Sequence, residues 1–199
     1  MSTSFATLQR LARKTEPAER CGLCGVGLVH QHRHLIDPAT RRLACSCDAC
    51  SLLFYESGAT KYKSVPRTAR LLRDFHISDG QWDSLMIPIG LAFFVESSVE
   101  KRVLALYPSP AGSMESLLSL EAWADIVSEN AILGKMQPDV EALLVNRLEH
   151  DADYYLAPID KCYELVGLIR GNWRGFSGGT EVWVKIRQFF NELKDGSNA

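Results

Sequence analysis

The residues of this 199-residue chain that most clearly indicate chemistry are its cysteines. Two pairs have the C-x-x-C spacing, Cys21 with Cys24 and Cys47 with Cys50. A tight turn through such a pair points both sulfurs at one ion, and two turns that face each other supply the four thiolates of a closed tetrahedral site. The sequence therefore predicts one metal ion bound by these four cysteines.

This donor set favours Zn²⁺, with a single iron as the alternative, because a tetrahedron of sulfur ligands accepts both ions. Disulfides are the competing explanation for the same spacing. We disfavour them because the residues before Cys21 lack the apolar core of a secretion signal, and the cytosol keeps thiols reduced. We therefore expect a cytoplasmic protein.

One further cysteine and two histidines lie close to the pairs. Cys45 stands two positions before Cys47, so it can replace one member of the second pair. His32 and His34 alternate, which in an extended segment points both rings to one side. Histidine is a common ligand, so either ring can join Cys45 at an alternative or second metal position. We favour hydrogen-bonded or solvated histidines, because four well-spaced cysteines already complete a site.

A glycine-rich segment near the C-terminus is a weaker candidate, for ligand binding. Arg170 and Arg174 precede Gly178 and Gly179, immediately before the last predicted helix. Free N–H groups beside two guanidinium groups can hold an anion, but the segment lacks the lysine and the spacing of a P-loop. A structural connection between two helices explains the glycines as well, and we favour it.

Charge and cysteine content divide the chain into two regions. Residues 1–75 contain 12 Lys and Arg against 6 Asp and Glu, whereas residues 76–199 contain 10 against 18. Five of the six cysteines fall in the first region. We therefore predict a basic, Cys-rich metal-binding module over 1–75 and an acidic α+β domain over 76–199.

Hydrophobic periodicity predicts the elements that position these residues. Apolar runs predict strands over Ile87–Ser97, Arg102–Tyr107, Val140–Asn146 and Tyr154–Ala157. The first two of these strands are predicted to form a hairpin that ends at Pro108. Helical spacing predicts helices over 4–14, from Ser119 to Glu129, from an Asp160 cap to Gly171, and from Thr180 onward. The predicted fold is α+β: a small zinc-ribbon or rubredoxin-like four-cysteine module, then an antiparallel sheet with helices packed on one face.

Several segments also carry a resemblance, among them CGLCG, HRHLID, RRLACSCDACSLLF, IPIGLAFFVESS and LIRGNWRGFSGGTEVWVKIRQFF. From Cys21 to Leu193 the chain resembles an uncharacterised bacterial family whose genes lie beside those of uptake NiFe hydrogenases and their accessory factors. The resemblance implies an accessory role in hydrogenase assembly or electron transfer. It implies no catalytic residues.

Three functional hypotheses follow. The first is a non-enzymatic, zinc-binding accessory protein that contacts a protein partner, such as a NiFe hydrogenase or its maturation factors. The second is a rubredoxin-like one-electron carrier with a single iron. The third, a nucleic-acid-binding zinc ribbon, is disfavoured by the acidic second region. No nucleophile, base and oxyanion donor can be assembled into a catalytic site, and no apolar run approaches the roughly 18 residues of a membrane span.

Overall fold

The computed structural model describes residues 19–54, 61–116, 120–148 and 152–197. Within these ranges the strands form two antiparallel sheets flanked by helices. The predicted α+β class with antiparallel pairing is therefore confirmed. The helix predicted over 4–14, and Ser119 as a helix cap, lie outside the described residues.

The first sheet is small and carries the Cys-rich segment. Its three strands have the order β2-β1-β3. Their bounds are β1 (Arg33–Asp37), β2 (Arg42–Ser46) and β3 (Lys63–Ser64), and the short helix α1 (Asp48–Leu52) follows β2. The hairpin register places His34 opposite Cys45, so these two side chains lie on the same face of the sheet.

The second sheet has six strands in the order β4-β9-β8-β5-β6-β7. The strands are β4 (Arg70–Leu71), β5 (Leu91–Ser97), β6 (Arg102–Ser109), β7 (Gly112–Ser116), β8 (Glu141–Asn146) and β9 (Asp153–Pro158). Its helices are α2 (Asp79–Ser84), α3 (Leu120–Glu129), a 3₁₀ turn (Ala131–Lys135), α4 (Ile159–Asn172) and α5 (Gly179–Ser197). Among the described helices, none is long and apolar enough to cross a membrane.

Helices cover both faces of this sheet, so the prediction that they pack on one face is wrong. Phe93 points into an apolar cluster with residues of α4 and α5, whereas its neighbour Phe94 points into a second cluster with residues of α2 and α3. The physical reason lies in the strands: β5 and β8 are apolar almost without interruption, as strands buried on both faces require.

The predicted hairpin of β5 and β6 is confirmed, but its predicted end is wrong. β6 continues through Pro108 to Ser109 and then pairs with β7. Pairing between β5 and β6 stops at Leu106, so the missing N–H of Pro108 removes no hydrogen bond from β5. Proline is tolerated here because it lies beyond that paired stretch.

Residues before position 75 also contact the larger sheet. β4 pairs with β9, and Ile36 and Val65 belong to the apolar cluster of α4 and α5. Lys63 Nζ lies 2.5 Å from the buried carboxylate of Asp139. The division of the chain at residue 75 stays a prediction.

Candidate metal centres

The four cysteines of the two C-x-x-C pairs come together at one end of the small sheet. The sulfurs of Cys21, Cys24, Cys47 and Cys50 all lie within 4.8 Å of one another. Cys24 Sγ and Cys47 Sγ are 3.8 Å apart, and all four cysteines are free thiols rather than disulfides. This four-cysteine cluster can hold a metal ion.

The first pair lies in a tight turn, as the sequence predicts. The N–H of Gly25 donates to the carbonyl of Cys21 over 2.9 Å, and Gly25 has a φ of 75° that glycine adopts without strain. The N–H of Gly22 donates to the carbonyl of Cys45 over 2.8 Å. That bond fastens the turn to strand β2 and so brings the first pair beside the second.

The second pair lies in the first turn of a helix, so it differs in backbone form from the turn of the first pair. Cys47 is the N-cap of α1, and its sulfur accepts a hydrogen bond of 3.4 Å from the N–H of Cys50. Cys47 thus takes the role that Ser or Asp usually has at a helix start. The zinc-ribbon or rubredoxin-like architecture is accordingly not confirmed.

The four thiols differ in their acidity. Backbone N–H groups of Cys47 and Cys24 stabilise the thiolate of Cys21 and lower its pKa to about 6. Hydrogen bonds with the sulfurs of Cys47 and Cys24 raise the pKa of Cys50 to about 12. A cation that binds all four sulfurs must therefore displace protons, and metal binding releases them to solvent.

Cys45 does not join the four-cysteine cluster but lies with two histidines. Three donor atoms lie within 4.8 Å of one another: one ring nitrogen of His32, one ring nitrogen of His34 and the sulfur of Cys45. The two rings meet edge to face, with centroids 4.8 Å apart. We call these three residues the histidine–cysteine cluster.

Asp160 has a different role in the structure from the helix cap that the sequence predicts. The prediction that it caps its helix is wrong, because α4 begins after Pro158 with no side-chain cap. Asp160 Oδ2 instead lies 2.8 Å from His34 Nδ1, across 126 positions of sequence. No local pattern signals a contact of that separation.

The glycine-rich segment connects α4 to α5 through close packing. Gly178 has a φ of 85°, and a Cβ there would lie 2.8 Å from Val182 Cγ1. The N–H of Arg174 donates to the carbonyl of Gly178, and its guanidinium donates to the carbonyl of Trp173. Arg170 is exposed on α4. These contacts explain the glycine at 178; ligand binding by Arg170, Arg174, Gly178 and Gly179 stays a prediction.

Fold and site together define an α+β protein with a cysteine cluster that can hold a metal ion at the edge of its small sheet. The chain belongs to a family of unknown function, DUF5947, which matches residues 20–197. That range contains both the four-cysteine cluster and the histidine–cysteine cluster. No curated protein and no solved structure matches the chain.

Proposed function

We propose that the protein is a non-enzymatic, zinc-binding accessory protein whose four-cysteine centre holds the N-terminal segment in shape for a protein partner. The observation that carries the proposal is the convergence of four sulfurs within 4.8 Å from two separate segments. Two pairs of thiolates from separate segments are the donor set of structural zinc sites.

The burial of the two ligand-bearing segments supports a structural role for the ion. Among residues 19–31 only Cys21 is buried, and among residues 47–54 only Ser51 is buried. Segments with so little buried apolar surface gain little stability from packing. Metal binding supplies that stability instead, as it does in small zinc modules that fold only with their ion.

Exposed apolar side chains on the same two segments support a protein partner. Val29 is 73% exposed and Leu52 is 68% exposed, and Leu23 and Val26 are exposed as well. Exposed apolar groups that lie close together mark sites of protein contact more often than scattered ones, and the convergence of the four sulfurs places the two segments that bear these side chains next to each other. The resemblance described above favours a NiFe hydrogenase or one of its maturation factors as that partner.

The metal is tested by elemental analysis of the full chain, purified under reducing conditions. We expect Cys24→Ser to contain about one zinc per chain less than the unchanged protein, and Cys162→Ala, which alters a buried thiol elsewhere, to lose none. Equal zinc in Cys24→Ser overturns the proposal. A red protein that contains iron and bleaches on reduction identifies a one-electron carrier in its place.

The partner is tested separately, by co-purification of the tagged full chain with a NiFe hydrogenase and its maturation factors. We expect Leu52→Ser to weaken recovery of the partner several-fold at unchanged zinc content. Val184→Ser is the matched control, because Val184 is an exposed apolar residue on α5. Equal recovery with both variants removes the surface around Leu52 from the proposal.

A further inference from the structure

We propose that the histidine–cysteine cluster is a second metal centre, which binds a divalent transition metal such as Zn²⁺ through His32, His34 and Cys45. It is distinct from the four-cysteine centre and leaves one coordination position for a ligand from the adjoining cleft.

The sheet places the three donors on one side. Cys45 on β2 is directly opposite His34 on β1, and residues opposite each other in an antiparallel pair project from the same face. His32 precedes His34 by two positions, so its ring follows on that same side. His34 and Cys45 thus converge through the regular geometry of a hairpin, and His32, just before β1, lies beside them with its ring edge to face with that of His34.

The protonation of His32 leaves one nitrogen available for a cation. Its Nδ1 lies 2.9 Å from the carbonyl of Val29 and 3.5 Å from a carboxylate oxygen of Glu19. Both neighbours only accept hydrogen bonds, so in the neutral imidazole Nδ1 carries the proton and Nε2 holds a lone pair. The side chain is only 6% exposed, and Nε2 is buried with no hydrogen-bond partner.

A buried nitrogen without a partner is costly, and native structures rarely contain one without a reason. A metal ion bound at Nε2 supplies the missing partner. The cluster thus combines converging donors with an unsatisfied buried lone pair, which a purely structural pair of histidines does not explain.

His34 is oriented by a carboxylate. Its Nδ1 lies 2.8 Å from Asp160 Oδ2, so the proton sits on Nδ1 and Nε2 is again the free acceptor. A carboxylate that holds the far nitrogen of a metal-bound histidine is the usual support of such a ligand, because it fixes the ring and raises its basicity. Asp160 is therefore a positioning residue of this centre.

The ligand count indicates an open coordination position. Three protein ligands and one exchangeable ligand are typical of zinc sites that act on other molecules, whereas four protein ligands are typical of structural sites. His32 and His34 line an open cleft of about 810 Å³. The cleft is lined by Arg67 and Lys161 and also by carboxylates, those of Glu19, Asp160, Glu164 and Glu192. Its charge therefore selects no anion, and solvent is the ligand that fills the open position.

The first experiment counts zinc in the full chain under reducing conditions. We expect about two ions per chain in the unchanged protein and about one in each of Cys45→Ala and His32→Ala. His30→Ala is the matched control, because His30 is an exposed histidine of the same segment outside the cluster, and it should keep two. Circular dichroism verifies that the variants are folded.

The two proposals fail in different ways. A protein with one zinc that Cys24→Ser removes and Cys45→Ala retains overturns the second centre and leaves the four-cysteine centre in place. Loss of one zinc in Cys45→Ala, with no loss in Cys24→Ser, overturns the four-cysteine centre and leaves the second centre in place. If His32→Ala does not fold, the zinc content of Cys45→Ala and the affinity measurement below test the second centre.

Affinity and ligand access test the remaining details. We expect Asp160→Asn to weaken binding of the second zinc about tenfold to a hundredfold, without changing the number bound at saturation. In the cobalt-substituted Cys24→Ser protein, azide should shift the visible absorption of the one remaining ion. An unchanged affinity removes Asp160 as a positioning residue, and an unchanged spectrum with azide overturns the open position.

Discussion

The six-stranded sheet and the cysteine-bearing segments at the end of the small sheet differ in how much apolar surface they bury. The six-stranded sheet is covered on both faces by apolar clusters that include Phe93 and Phe94. The segments that carry the four-cysteine cluster bury almost no apolar side chains, and Leu52 beside them is exposed. Burial of apolar surface stabilises the first region, whereas the second has little such burial and instead gathers four cysteines that can hold a cation.

The largest expected effect comes from removing the proposed zinc ion of the four-cysteine cluster. A structural zinc site is worth roughly 10 kcal/mol or more at neutral pH, so a strong chelator should abolish amide-exchange protection in residues 19–31 and 47–54. The amides of β5 should keep theirs, because their stability comes from the apolar clusters. Hydrogen exchange followed by mass spectrometry measures both regions in one sample. Simultaneous loss of protection in β5 would contradict the contrast between the regions.

Truncation of the core should affect the larger sheet most. Phe93→Ala removes a fully buried ring from the centre of β5 and should lower the free energy of unfolding by about 3–5 kcal/mol. Denaturant titration of the metal-loaded protein measures the loss. The zinc content of the folded variant should not change, and loss of zinc before unfolding would show that the two regions depend on one another.

A smaller effect on stability is expected where the small sheet contacts the six-stranded sheet. The carboxylate of Asp139 accepts hydrogen bonds from Lys63 Nζ and from the N–H of Ser98. Asp139→Asn keeps the shape but removes the charge, and should cost about 1–2 kcal/mol, because hydrogen bonds to charged groups are the stronger ones. The double variant with Lys63→Met provides the control. If the two losses simply add, the ion pair does not couple the regions.

The smallest predicted effect is confined to one helix start. The Ser78 hydroxyl accepts from the N–H of Gln81, and the Gln81 side chain accepts from the N–H of Ser78, a complete capping box at α2. Ser78→Ala should lower stability by about 1 kcal/mol, measured by thermal unfolding. A change in zinc content would contradict the expected independence of the four-cysteine cluster.

Sequence reasoning succeeded where the determining interactions are local. C-x-x-C spacing brings two sulfurs together within one turn, so the pairing of Cys21 with Cys24 and of Cys47 with Cys50 is predictable from local sequence. The convergence of the two pairs on one another is predicted only from the donor set that a closed metal site requires. Helical spacing in the segments that became α4 and α5 likewise reflects contacts a few residues apart. The hairpin of β5 and β6 follows from two apolar runs joined by a short polar break.

Sequence reasoning failed where distant residues decide the outcome. Whether helices cover one or both faces of the sheet depends on where α2 and α3 pack, which no local pattern records. Strand β7 was missed because Pro108 and Pro110 indicate a break, although Pro108 lies beyond the pairing with β5. The same limit applies to Asp160, whose partner His34 lies 126 positions away.

The contact between His34 and Asp160 has a consequence for biosynthesis. All four cysteines of the first cluster lie within residues 21–50, so they can capture an ion while the ribosome is still translating the larger sheet. The His34 ring receives its carboxylate only after residue 160 has emerged and α4 has docked. The four-cysteine cluster therefore has all of its cysteines early on the nascent chain, whereas the histidine–cysteine cluster gains the carboxylate that orients His34 only after most of the polypeptide has been made.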